Sequence, residues 1–285
     1  MRHSSPSGAL AALVLLVGAC VAHAEPAQRI VSLAPHLTEL AFTAGAGDRI
    51  VATVEYSDHP PAARKIPRIG DAFRVDLERL LALRPDAVLV WESGTPAQVI
   101  ERVRSLKLNV VAFETHRLAD VARVVRALGK LAGTSAIADE AAQRYERDID
   151  ALRTQYRGRA TLSVFLQIND RPLYTVNGRH IMSEIVELCG GSNVFAQLNE
   201  LAPAIGVEAV IAANPQVIIS TDDTVPDAAQ EWRNWQHIAA VRASNVYTLR
   251  SDDIARATTR LTVGAQEVCR TLDTARQHLR ASANR

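Results

Sequence analysis

The sequence predicts an α/β protein of two lobes with mainly parallel central sheets, joined by one long α-helix. Three observations lead there. Short apolar runs alternate with helical patterns along the chain, and several are continuously apolar, as strands buried on both faces are. Residues 135–156 contain neither Gly nor Pro. The segments before and after that stretch repeat one another.

In chain order, residues 1–24 precede the fold. A polar start, an apolar run over 9–17 and Ala22-His23-Ala24 make a secretory signal peptide with an A-x-A cleavage site. Its apolar core is too short to span a bilayer. Val17-Gly18-Ala19-Cys20 also forms an imperfect lipoprotein box, in which Cys20 would carry the anchor. The N-terminal lobe, 25–133, holds strands at 30–33, 50–54, 87–91 and 110–113. The connecting helix, 134–157, places Ile137, Ala141, Tyr145, Ile149, Leu152 and Tyr156 at helical spacing, with Thr134-Ser135 supplying an N-cap. The C-terminal lobe, 158–285, has strands at 163–168, 217–220 and 246–249.

Two pairs of segments carry the repeat. Leu77-Glu78 leads through Pro85 to the apolar run 87–90, and Val207-Glu208 leads through Pro215 to 217–220. Thr38-Glu39-Leu40 leads to Gly45, and Ser183-Glu184-Ile185 to Gly190. Each of the latter opens with an N-cap residue and a carboxylate in the first turn. Two related lobes leave a cleft between them, a favoured place for a ligand.

Composition excludes several functions. The net charge is +1 with no basic cluster, so nucleic acid has no electrostatic footprint. Gly45-Ala46-Gly47 lacks the third glycine of a dinucleotide loop, and no G-x-x-x-x-G-K-[ST] or G-x-S-x-G occurs. The eight histidines are scattered, which does not suit a zinc site. Rossmann-like lobes alone do not argue for catalysis, so no enzyme, metal or resident cofactor is expected. Once the signal is removed, Cys189 and Cys269 remain. In an oxidising compartment the even count favours a disulfide, worth about 4 kcal/mol at most; two buried thiols are the alternative.

These residues resemble the helical-backbone class of periplasmic binding proteins, and within it the cobalamin-binding members that serve vitamin B12 importers. The resemblance runs from Arg29 to the C-terminal helix. It rests on Arg29-Ile30-Val31-Ser32-Leu33-Ala34-Pro35, Tyr56-Ser57-Asp58-His59-Pro60-Pro61, Asp76-Leu77-Glu78-Arg79, Val164-Phe165-Leu166-Gln167, Glu187-Leu188-Cys189-Gly190-Gly191 and Arg256-Ala257. It implies capture of cobalamin or a related corrinoid in the periplasm, with delivery by a monomer to an ABC permease dimer and its ATPase subunits. Tyr56, Phe73 and Trp91 would form the N-lobe wall, with Phe73 where those proteins carry a tryptophan. Tyr174 would take an aromatic position on the C-lobe, and Asp252 and Arg256 polar positions at the rim. A broad apolar ring edged with amides suits such a surface. Glu78 and Glu208, one per lobe, would each meet one permease subunit, which fixes register and speeds encounter. The family's disulfide maps onto Cys189 and Cys269.

The chain departs from the cobalamin-binding pattern at Leu201-Ala202-Pro203-Ala204-Ile205, where those proteins carry a tryptophan. Trp232 and Trp235 lie nearby and are expected to pack rather than replace it. The alternative ligands on the same architecture are haem and a ferric siderophore. Haem needs an axial Tyr or His, for which Tyr56, His36 and His59 are available. An anionic siderophore needs basic residues, for which Arg68, Arg74 and Arg256 are available. One continuous helix between the lobes predicts little closure on binding.

Overall fold

The computed structural model describes residues 25–71 and 73–283. The signal peptide and Cys20 lie outside the described residues. The N-lobe runs β1 (Ile30–Ser32), α1 (Pro35–Thr43), β2 (Ile50–Ala52), α2 (Leu77–Ala82), β3 (Ala87–Trp91), α3 (Ala97–Ser105), β4 (Val110–Phe113) and α4 (Leu118–Ala132). After α5 (Ser135–Tyr156) the C-lobe runs β5 (Leu162–Asp170), β6 (Leu173–Thr175), α6 (Ile181–Leu188), β7 (Gly191–Asn193), α7 (Val207–Ala213), β8 (Val217–Thr221), α8 (Ala228–Trp232), α9 (Ala239–Arg242), β9 (Val246–Leu249), α10 (Ser251–Ile254) and α11 (Leu261–Ala283).

The N-lobe sheet has the order β2-β1-β3-β4, all parallel. In the C-lobe, β5, β8 and β9 are parallel neighbours and β7 pairs with β5 as β2 does with β1. An extra strand, β6, runs antiparallel to the far end of β5. The repeat extends to single bonds. Arg84 and Asn214 both take left-handed φ, 45° and 41°, just before Pro85 and Pro215. Asn109 Nδ2 donates to the Asp86 carbonyl at 3.0 Å, and Asn245 Nδ2 donates to the Gln216 carbonyl at 3.3 Å. Each amide ties the strand before it to the next parallel strand.

Alternation along the strands sorts side chains into layers. Ile30, Leu89, Val164, Leu166, Val217 and Ile219 face inward onto α1, α4, α5, α6 and α11, forming one apolar core that crosses between the lobes. Val31, Leu33, Val88 and Val90 face outward onto Leu80, Ile100 and Val103 of α2 and α3. Phe165 and Ile218 do the same against Val210, Trp232 and Ala240 of α7, α8 and α9. Trp232 packs edge-on against Phe165 and donates Nε1–H to Gln167 at 2.8 Å, and Trp235 lies against the same cluster. Both tryptophans are packing residues, as expected.

Several local expectations are corrected. Helix α1 starts at Pro35 and α6 at Ile181, with Ala34 and His180 in the cap positions. Thr38 and Ser183 therefore sit inside the helices, where their hydroxyls bond the Ala34 and Asn177 carbonyls. Thr134 stands at the cap position of α5, but its Oγ1 donates to the Ala44 carbonyl at 2.6 Å instead of capping the helix. The expected disulfide, by contrast, is present: Cys189, just after α6, is bonded to Cys269 in α11.

Candidate functional site

A cleft of about 570 Å³ opens between the lobes. Its N-lobe wall is made by His36 in the first turn of α1, Trp91 at the end of β3, Ser93, and Glu114, Thr115 and His116 after β4. Its C-lobe wall includes Arg179 and His180 before α6, Leu201, Asp223 after β8, and Asp252 and Arg256 after β9. Both walls follow the carboxyl ends of strands beside the point where strand order reverses, between β1 and β3 and between β5 and β8. Open parallel sheets place ligands there.

Trp91 is held from three sides. Its Nε1–H donates to Glu114 Oε1 at 3.0 Å. Its indole meets the His36 imidazole edge-to-face, with centroids 5.1 Å apart. It also lies over Gly94, where a Cβ would stand 1.9 Å from the ring, so this position requires glycine. The indole remains 37% exposed toward the cleft, which leaves a flat, fixed surface for stacking.

Glu114 also accepts Ser93 N–H at 2.9 Å and Thr115 N–H at 3.1 Å. Burial pushes its carboxyl up, but hydrogen bonds from Ser93, Trp91 and Thr115 together hold it below the usual carboxylate range. It is therefore ionised at neutral pH. His36 is lowered to about 4, first by burial and then by the Arg256 charge, with Glu114 opposing. The imidazole is neutral in ordinary buffers, and its Nε2 is buried without a hydrogen-bond partner among the described residues. His180 is likewise lowered to about 4 by burial. Its Nδ1 accepts Met182 N–H at 3.3 Å and caps α6.

Arg256 spans the cleft mouth. Its Nη2 lies 2.8 Å from Asp252 Oδ1, and its Nη1 lies 3.4 Å from both Asp58 Oδ1 and the Tyr56 carbonyl. Beyond this bridge is a second cavity of about 400 Å³, lined by Tyr56, Asp58, Asp222 and Arg250. It shares Asp223, Ser251, Asp252 and Arg256 with the cleft. Tyr56 stands there 77% exposed at φ 64°, a left-handed conformation that costs a non-glycine residue of order 1–3 kcal/mol and clusters at ligand sites.

Of the residues expected at the ligand, Trp91, Asp252 and Arg256 line the cleft and Tyr56 lines the adjoining cavity. Phe73, 72% exposed, borders a separate surface groove with Gln98 and Arg102. Tyr174 lies in β6, half-buried, and lines neither cavity. Arg68 is engaged with the carbonyls of Ser57, Ala63 and Ile66. Neither it nor Arg74 nor His59 reaches the cleft lining. Glu78 and Glu208 are both exposed, each the second residue of its helix, and neither has an ion-pair partner among the described residues. Sequence reasoning missed Glu114, Arg179 and His180. All three fall in connections between elements, and the rule that strand ends build the site would have singled out the stretch after β4.

Two corners close the interface behind the cleft. Glu39 of α1, 2% exposed, takes Arg260 bidentately at 2.9 Å for each bond. Glu184 of α6 accepts Leu118 N–H at 2.8 Å, at the start of α4. These are the repeat-related carboxylates, and each reaches the opposite lobe.

Parallel sheets meeting at such a cleft, over one shared core, define a two-lobed binding protein. The chain belongs to the periplasmic binding protein family, whose model matches residues 30–252. It is 34% identical over 245 residues to the vitamin B12-binding protein of Vibrio cholerae serotype O1, covering 86% of this chain and 88% of that one. The crystal structure of the periplasmic vitamin B12 binding protein BtuF of Vibrio cholerae superposes with a TM-score of 0.82 at 34% identity, covering 88% of this chain and 98% of that one. The periplasmic heme-binding protein BhuT superposes with a TM-score of 0.78 at 22% identity, covering 87% and 98%, a likeness of fold alone.

Proposed function

We propose that this protein captures cobalamin, or a close corrinoid, in the periplasm and hands it to an ABC permease dimer with its ATPase subunits. The observation that carries the reading is the match to vitamin B12-binding relatives along nearly the whole chain. The fixed indole of Trp91 in the interlobe cleft supports it. The protein acts by capture rather than catalysis, as a monomer exported by its signal peptide. The flat face of the ring stacks on Trp91 and Tyr56, while Arg256 and Asp252 meet amide groups at its edge. Haem is the weaker reading, because the haem-binding neighbour BhuT is 22% identical, against 34% for the vitamin B12-binding relative.

Calorimetric titration of the mature chain with cyanocobalamin, with haemin as control, tests this. One-to-one binding of cobalamin is expected. Trp91→Ala weakens it by about tenfold or more, since one stacked ring contributes roughly 1.5 kcal/mol beyond its buried area. Saturable haemin binding with no response to cobalamin would overturn the reading. Glu78→Ala with Glu208→Ala should leave cobalamin affinity intact and abolish uptake in cells that depend on imported cobalamin. Normal uptake would remove both residues from the docking surface.

A further inference from the structure

The Glu114 carboxylate holds Trp91, yet among the described residues no permanently charged cation pairs with it. Its close partners, Trp91 Nε1–H, Ser93 N–H and Thr115 N–H, are all neutral donors. Among the described residues no arginine or lysine side chain pairs with it, and the nearest basic atom is His116 Nδ1 at 3.7 Å. The Arg123 guanidinium approaches only the Glu114 main-chain carbonyl. Elsewhere on the lining, Arg256 is taken by Asp252 and Asp58, and Arg179 donates to the Asn199 carbonyl. Asp223 adds a further carboxylate. The lining thus has more anionic than guanidinium groups, and one anion sits at the edge of the stacking surface.

We infer that Glu114 makes this cleft selective for a flat macrocycle whose centre is positively charged, as a corrinoid's is. This rests on the corrinoid reading above and adds the feature of the ligand that is read. A corrin is a singly charged ligand to cobalt(III), so with one cyanide bound its core remains cationic. A ferric porphyrin core without an anionic axial ligand carries the same single positive charge, and its two propionates lie at the periphery, so Glu114 reads the charge of the centre and not the identity of the ring. A ring stacked on Trp91 brings its centre within several ångströms of Glu114. At that range a carboxylate in a half-buried site changes affinity by about 3- to 10-fold per unit charge. Glu114 therefore has two roles: it orients the indole, and it adds attraction for a cationic centre over a neutral or anionic one.

Charge can be changed on one and the same ring. Aquocyanocobinamide is cationic, and a second cyanide converts it to neutral dicyanocobinamide. Both are titrated at pH 8 and low salt into the wild type, Glu114→Gln and Glu114→Asp. The second cyanide also adds bulk, so the quantity read is the change in preference on substitution. Glutamine keeps a carbonyl for Trp91 Nε1–H and removes the charge, whereas aspartate keeps the charge. Glu114→Gln should cut the preference for the cationic form by about 3- to 10-fold, and Glu114→Asp should retain it. In the wild type, 0.5 M salt should shrink the same preference, a measurement that needs no variant. An unchanged preference in Glu114→Gln, or insensitivity to salt, overturns the inference while leaving the corrinoid reading standing. Failure of the wild type to bind either form overturns that reading, and this inference with it.

Discussion

His36 and Glu114 flank the same indole, one neutral and one charged, and acid separates their contributions. The folded-state pKa of His36 is lowered from 6.5 to about 4. Between those values the unfolded chain takes up a proton that the folded protein refuses. Stability from this group is complete above about pH 6.5 and is lost as pH falls toward 4, by up to roughly 3 kcal/mol. His180, lowered to about 4 as well, adds to the same window. Urea denaturation at pH 7 and pH 4.5 should show a marked loss for the wild type and a clearly smaller one for His36→Phe. Equal losses would mean that His36 is not buried neutral. At this scale the sequence was legible where a residue type is both rare and placed at a strand end. Trp91 is such a residue, one of 3 tryptophans in the chain. Glu114 was not legible, because an isolated carboxylate after a strand gives no sign that its oxygens will be spent on an indole 23 positions away.

At the scale of elements, the corner bonds show what the repeat does. Thr38-Glu39 and Ser183-Glu184 stood out in the sequence as helix openings. The helices begin a few residues earlier, and the carboxylates serve the lobe interface instead. Pro35 at the start of α1 was the available signal, since proline favours the first helical turn. Glu39→Ala would leave Arg260, with only 16% of its side chain exposed, without its bidentate partner. Asp253 at 3.0 Å and Asp252 at 3.7 Å still face the guanidinium, so the cost in urea denaturation should be about 2 kcal/mol, below that of a fully stranded buried charge. Glu184→Ala removes a backbone acceptor and an arginine contact whose guanidinium side chain is 72% exposed, so about 1 kcal/mol is expected. Costs in the reverse order would show that the corners are not the asymmetric pair their burial implies. Strands with long apolar runs were legible. β6 and β7 were missed because β6 has only three residues and β7 is Gly-Ser-Asn, and neither carries an apolar run. Their pairing is dictated by β5, a tertiary cause that local pattern does not record.

Across the whole molecule, α1, α4, α5, α6 and α11 sit in one apolar layer between the two sheets, and that layer has no seam at the lobe boundary. Opening the cleft by hinge motion would expose this core and part the Glu39 and Glu184 corners. X-ray scattering with and without cobalamin should therefore give superimposable profiles, and a clear compaction on binding would refute the rigid arrangement. The Cys189–Cys269 bond ties α6 to α11 within the same layer. Replacing both cysteines with serine should cost about 4 kcal/mol in the chain-entropy picture, read as a lower denaturation midpoint. The lobe architecture was legible because strand–helix alternation and the long helix are strong periodic signals. The seamless interface was not, because which helical faces meet depends on both lobes being folded.

If the scattering profiles superimpose as expected, the two carboxylate corners have a consequence for the delivery proposed above. A container whose outline is the same empty or full cannot announce its contents by changing shape. The only difference a receiver can see is at the mouth, where the rim of the cargo either fills the opening or does not. Sorting loaded from unloaded carriers then falls to the cargo itself.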